Sequence, residues 1–275
     1  MIVYCNGFMP AADARVDIDD PGFLSGDGVF ETALLHGGGF FRLRQHLERF
    51  RSSAATMDIA APEVAQVAAI MRRLARDNDL HDASFRVTLT RGVGQPVLLV
   101  TARPLDADWT RRAATGWRVI TARTRRPSTA AIPAQLKALG RTYALLARIE
   151  ARAAGVDDAL LLTDAGHICE GPSWNVFWIV GRTLYTPALE AGVLAGVTRT
   201  ALIELAPEAG LDVEEGLFTR EHLDRATEAF ASMTSVGLVS LSELDGRRID
   251  ATAGAAALQK LYRQRVADEV AADPI

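Results

Sequence analysis

At 275 residues, 49% hydrophobic and 23% charged, the chain has the composition of a globular protein and the length for two cored domains. A net charge of −4 and a pI near 5.8 exclude the basic field that nucleic acid or an anionic membrane attracts. Two cysteines, Cys5 and Cys169, are too few for a disulfide framework or a zinc site, and no apolar run approaches the roughly 18 residues of a membrane span.

In chain order, IVYCNGFM reads as a short strand with an Asn-Gly turn, and GVFETALLHGGGFFRL as a hairpin around Gly37–Gly39. The HGGG run lacks the Gly-Lys-Ser/Thr ending of a phosphate loop, so a turn is expected there. Leu43, Leu47, Phe50, Ala54 and Met57 recur at steps of three and four and predict a helix; a second begins near Pro62, with Val64, Val67, Met71 and Leu74 on one face. SFRVTLTRG and PVLLVTARP predict strands joined by a tight GVGQ turn. PLDADW breaks the periodicity and reads as a linker.

WRVITAR predicts a further strand. After the RRPSTAAIPAQ loop, a helix is expected from Lys137 to about Gly155, with Leu145, Leu146 and Ile149 apolar. ALLLTDAGHICEG and NVFWIVGRTLYTP predict hairpins, GVLAGVTRTALIELAPEAG a loop and helix, FASMTSVGLVSL a strand and turn, and the segment from Thr252 an amphipathic helix. Frequent hairpins mean antiparallel pairing, which argues against a doubly wound parallel sheet and for two α+β domains: 1–103, a linker at 104–110, and 111–275.

Of the 30 basic residues only Lys137 and Lys260 are lysine. Arginine stays protonated, whereas a lysine amine can lose its proton and attack a carbonyl. Lys260 sits in a polar frame and reads as surface. Lys137 has two readings, a solvated lysine at a helix start or a nucleophile. Three features join it. Glu170 stands where a predicted strand ends at Gly171 and Pro172. Gly196, Val197 and Thr198 open a helix, where backbone N–H groups and a hydroxyl can hold an anion. Ser232 to Ser235 supply further hydroxyls. A Schiff-base lysine, a carboxylate and a phosphate cradle are the parts that pyridoxal phosphate requires. The histidines show no metal-ligand spacing, so no metal is expected.

In SGDGVFET, HLERF, the segment around Lys137, EGPSWNVFWI, TPALEAGVLAGVTR and ASMTSVG, taken in that order, the chain resembles the class IV aminotransferases, the fold-type IV pyridoxal phosphate enzymes. The resemblance implies a mixed α+β protein with a small N-terminal α/β domain, a larger C-terminal one, and a homodimer. It implies Lys137 as the Schiff-base lysine, Glu170 at the pyridine nitrogen, and Arg49, Val197, Thr198 and Thr234 at the phosphate. The family's frequent Asn after the lysine is replaced here by Gly140 and Arg141, and Tyr143 stands one position from the tyrosine of branched-chain enzymes. Arg141 is then expected at the cofactor's phenolic oxygen. Arg86, Arg91 and Phe30 are expected at the substrate, although each also reads as an ordinary strand residue. The implied reaction passes an amino group from an amino acid or amine to a 2-oxo acid. Aminodeoxychorismate lyase is the alternative, which the Lys137–Arg141 spacing resembles. Without a signal-peptide pattern at MIVYCNG, a cytoplasmic location is expected.

Overall fold

The computed structural model describes residues 1–105, 115–249 and 253–273. They divide into two compact units that are not contiguous in sequence: 1–105 with 136–140 and 266–275, and 106–135 with 141–265. Most of the linker expected at 104–110 lies outside the described residues.

Local turn chemistry builds the sheet of the first unit. Strands β1 (Ile2–Cys5) and β2 (Phe8–Pro10) pair antiparallel across Asn6-Gly7, with Asn6 in the left-handed region at φ 48°. The short helix α1 (Pro21–Ser25) follows, its first turn capped by the Asp20 carboxylate. Strands β3 (Gly28–His36) and β4 (Gly39–Phe40) turn through Gly37 and Gly38, whose φ values of 56° and 83° favour glycine. Helices α2 (Leu43–Thr56) and α3 (Val64–Asp77) come next, then β5 (Ala83–Thr90) and β6 (Val97–Pro104). The six strands run in the order β2-β1-β6-β5-β3-β4, and every adjacent pair is antiparallel. Leu43, Leu47, Phe50 and Ala54 bury one face of α2 in the same core as Phe85, Met71 and Leu74. Full burial of a side chain such as Leu47 or Phe50 contributes about 2 kcal/mol.

The second unit carries β7 (Trp117–Arg125), α4 (Thr142–Ala153), β8 (Asp158–Leu162), β9 (Asn175–Val180), β10 (Thr183–Pro187), α5 (Val197–Leu205), β11 (Asp212–Gly216), α6 (Arg220–Leu223), β12 (Glu228–Met233), β13 (Gly237–Leu244) and β14 (Arg247–Arg248). Helix α7 (Ala253–Ala272) starts here, where the Gly254 and Ala255 N–H groups donate to the Glu228 carboxylate at 3.0 and 2.8 Å. The sheet order is β11-β10-β9-β12-β13-β7-β8, with β14 beside β13. The pairs β10–β9, β9–β12 and β12–β13 are antiparallel, as the hairpins require, whereas β10–β11, β13–β7 and β7–β8 are parallel. The molecule is therefore mixed α+β, with no doubly wound sheet among the described residues.

The expected helix from Lys137 requires correction in two respects. Residues 137–139 are extended: Val29 and Ala138 form an antiparallel bridge, Phe30 N–H donates to the Lys137 carbonyl at 3.0 Å, and Leu139 N–H donates to the Gly28 carbonyl at 2.9 Å. The helix begins only at Thr142. Its buried face is also not the leucine face. Ala144, Ala147 and Ala151 are buried, while Leu145, Leu146 and Ile149 are exposed. Small side chains let α4 lie close on β7 and β8, and its bulkier residues then face away.

Candidate functional site

In the first unit the chemistry gathers on the buried face of α2. His46, Arg49 and Ser53 follow at steps of three and four, so a polar stripe runs along a helix face otherwise made of Leu43, Leu47, Phe50 and Ala54. Opposite stands Glu31 on β3, only 1% exposed. Arg49 donates to its carboxylate from Nε and from Nη2, each at 2.8 Å. His46 Nδ1 lies 3.2 Å from the same carboxylate and donates to it when the ring proton is on that nitrogen. Burial by itself pushes the Glu31 carboxyl up, but Arg49, then Lys137 and His46, outweigh it and hold the group well below the usual carboxylate range. Burial dominates at His46 and moves its imidazole down, so the ring is neutral near pH 7 in spite of Glu31.

Lys137 enters this cluster through its main chain and its charge. Its N–H donates to Ser53 Oγ at 3.2 Å, its carbonyl accepts from Phe30, and its ammonium attracts Glu31. Its Nζ lies 4.9 Å from the centre of the Phe30 ring, and the Arg86 guanidinium carbon lies 4.0 Å from the same ring. The structure thus brings Lys137, Phe30, Arg86 and Arg49 together. Arg91 is placed elsewhere: it donates to Asp27 from Nε at 2.5 Å and from Nη2 at 3.2 Å, and to the Met57 carbonyl at 2.9 Å. These contacts tie the end of β5 to the chain before β3 and to the end of α2.

In the second unit Glu170 is the centre. It is 8% exposed and bridges to Asn175, the first residue of β9. One carboxylate oxygen accepts from Leu194 N–H at 2.9 Å and from Asn175 Nδ2 at 3.3 Å; the other accepts from Arg126 Nε at 3.3 Å. Asn175 Nδ2 also donates to the Leu194 carbonyl at 2.9 Å, which pins the loop that leads into α5. Gly196 caps α5 because no side chain fits there: a Cβ would stand 2.2 Å from Asn175 Oδ1. Glu170 and the α5 N-terminus, with Val197 and Thr198 in its first turn, are therefore joined through one asparagine. Ser232 lies opposite Asn175 on β12, with its buried Oγ lacking a hydrogen-bond partner among the described residues. Thr234 is in the turn between β12 and β13. Arg141 donates to the Pro172 carbonyl at 3.1 Å, and burial lowers its guanidinium below the ordinary value. Burial likewise raises the Tyr143 phenol.

Three residues of these clusters were not anticipated: Glu31, His46 and Arg126. Glu31 lies between Phe30 and Thr32 in a strand buried on both faces at that point, since Val29, Phe30 and Glu31 are all under 6% exposed. A carboxylate in such a run is costly unless it is paired, and that was the available signal. For His46 it was the helical register, which puts the ring on the core face. Arg126 had no local pattern.

The sequence profile described as "Amino-transferase class IV" matches residues 28–244. A protein of Methanocaldococcus jannaschii provisionally named a branched-chain-amino-acid aminotransferase is 35% identical over 263 residues, covering 91% of this chain and 90% of that one. The aminodeoxychorismate lyase of Bacillus subtilis is 30% identical over 284 residues, covering 96% and 94%. Among solved structures, a branched-chain amino acid aminotransferase of T.th. with pyridoxamine 5'-phosphate superposes with a TM-score of 0.91 at 26% identity, covering 97% of this chain and 94% of that one.

Proposed function

The chain belongs to the class IV aminotransferases, and from that premise we propose that it is a pyridoxal 5'-phosphate-dependent enzyme moving an amino group from an amino acid or primary amine to a 2-oxo acid, with Lys137 as the catalytic residue. The observation that carries this reading is the setting of Lys137, which is held against β3 beside a buried, ionised Glu31 that is itself clamped by Arg49. The donor set fits the cofactor. A lysine amine, the Glu170 carboxylate, a helix N-terminus kept open by Gly196 and a buried hydroxyl at Ser232 are the groups an aldehyde, a ring nitrogen and a phosphate call for. Bound pyridoxal phosphate supplies the aldehyde with which the lysine condenses and a ring that withdraws electrons from the substrate carbon.

The chain's own residues do the rest. Lys137, once its amine is released, holds and moves the proton at the substrate carbon as general base and acid. Glu170 would accept a hydrogen bond from the ring N–H, its two oxygens fixed by Leu194, Asn175 and Arg126. Arg49 and the Val197 and Thr198 amides neutralise the phosphate, with Thr234 adding a hydroxyl. Arg141 engages the phenolic oxygen. Phe30, Arg86 and Arg91 contact the substrate, Arg91 while it pairs with Asp27. Leu145, Leu146 and Ile149, exposed on α4, support a homodimer, and a cytoplasmic location fits the two free cysteines.

The test is the half-reaction. Cofactor-loaded protein is expected to lose its visible absorbance with one class within a panel of L-amino acids, D-amino acids and (R)-amines, and to regain it with a 2-oxo acid. Absence of any response across the panel overturns the transfer reading. A second reading, aminodeoxychorismate lyase, draws on Arg141 four residues after Lys137 and on the B. subtilis relative. Release of pyruvate from aminodeoxychorismate would establish it.

A further inference from the structure

Residues 193–195 lead into α5 and belong to no helix or strand, so their main-chain groups need partners from elsewhere. They find side chains. The Val193 carbonyl accepts from Gln135 Nε2 at 3.0 Å, and Leu194 N–H donates to Glu170 at 2.9 Å. The Leu194 carbonyl accepts from Asn175 Nδ2 at 2.9 Å, and Ala195 N–H donates to Gln135 Oε1 at 2.8 Å. All four polar ends of two successive peptide groups are thus held by three side chains. Glu170 and Asn175 take the inner two. Gln135 takes the outer two with one amide, as a neighbouring parallel strand would. Flipping that amide would set donor against donor and acceptor against acceptor, so the two bonds together fix its orientation. Gln135 lies in the irregular segment after β7, 58 and 60 positions from the residues it holds. The next residue after Ala195 is Gly196, the cap of α5, so the clamp ends where the helix begins.

We propose that Gln135 is a positioning residue for the anion site at the start of α5. Its amide fixes residues 193–195, and through them the direction in which the first N–H groups of α5 point. This rests on the reading of that helix start as the phosphate site. An anion held by helix N–H groups depends on their alignment, and a loop without regular structure has no ladder of its own to maintain it. Glu170 keeps its bonds to Asn175 and Arg126 whether or not Gln135 is present, so the influence of Gln135 falls on the phosphate and not on the ring.

The experiment measures binding of pyridoxamine 5'-phosphate and of pyridoxamine to the cofactor-free protein by calorimetry. Neither probe condenses with Lys137, so their affinity ratio isolates the phosphate. The wild type is expected to prefer the phosphorylated probe by about 100-fold or more. Gln135→Met, which keeps the length and removes both polar ends, is expected to cut that preference about 10-fold while leaving pyridoxamine within about 2-fold of its wild-type affinity. Hydrogen exchange on peptides covering 193–197 is expected to be slow in the wild type and faster in the variant. Gln135→Ala, which shortens the side chain and strains nothing, is expected to act in the same direction and decides the matter if Gln135→Met does not fold. The inference is overturned if the preference survives both substitutions, if both probes weaken by the same factor, or if residues 193–197 exchange in the wild type as fast as an unstructured peptide, a result that needs no variant. Failure of the phosphate reading looks different, because then the wild type itself does not distinguish the two probes.

Discussion

Replacing Glu31 by Gln removes one negative charge from the buried cluster at nearly constant volume. The side chain is 1% exposed, and Arg49, whose side chain is 11% exposed, loses its ionic partner without gaining water. Removing one member of a buried ion pair costs about 3–5 kcal/mol. The glutamine oxygen still accepts one N–H from Arg49, so the net loss expected is about 2–4 kcal/mol. All four tryptophans lie in the sequence of the second unit, so their fluorescence does not report locally on this cluster. Hydrogen exchange read by mass spectrometry on peptides from β3 and α2 does, with faster exchange in Glu31→Gln. The sign of the pH dependence is fixed by the depressed carboxyl. Its contribution is fully present above the unfolded-state value of about 4.3 and is lost as pH falls through the lower folded value. The difference between wild type and Glu31→Gln is therefore expected to stay constant from about pH 8 to 5 and to shrink below about pH 4. A difference under about 0.5 kcal/mol at pH 7, or one that grows on acidification, refutes the reasoning.

Two further outcomes follow from the same geometry. Gly196→Ala places a methyl group 2.2 Å from Asn175 Oδ1, so the asparagine must shift; we expect about 1–3 kcal/mol of destabilisation and weaker binding of inorganic phosphate by calorimetry. His46 is buried with its imidazole moved down, so its neutral form is the stable one and stability falls as pH drops below about 6.5, where the unfolded chain gains a proton. His46→Asn should flatten thermal midpoints between about pH 7 and 5, and an unchanged slope there would place the titration elsewhere.

Hairpins and amphipathic helices were legible because their signals are local. Asn6-Gly7, Gly37-Gly38 and the register of Leu43 to Ala54 act within a few residues. The parallel pairs β10–β11, β13–β7 and β7–β8 join segments with no shared turn, so nothing nearby in the sequence announces them. The helix start expected at Lys137 fails for a related reason. QLKALGRTYALL has helical composition, but residues 137–139 find backbone partners on β3, over a hundred positions earlier, and tertiary pairing overrides propensity. On α4 the rule that large apolar residues face inward failed because alanine permits closer packing. Lys137 stood out because its chemistry cannot be supplied by arginine. Arg126 did not, because in a chain this rich in arginine only burial and a missing acceptor distinguish it.

The central claim concerns the ε-nitrogen of Lys137. Borohydride reduction of pyridoxal phosphate-loaded protein, followed by peptide mapping, tests it directly. The account predicts a single phosphopyridoxyl group on the peptide containing Lys137, with Lys260 unlabelled. A label at Lys260 or at the N-terminal amine instead, or no label in protein that has bound the cofactor, would contradict it.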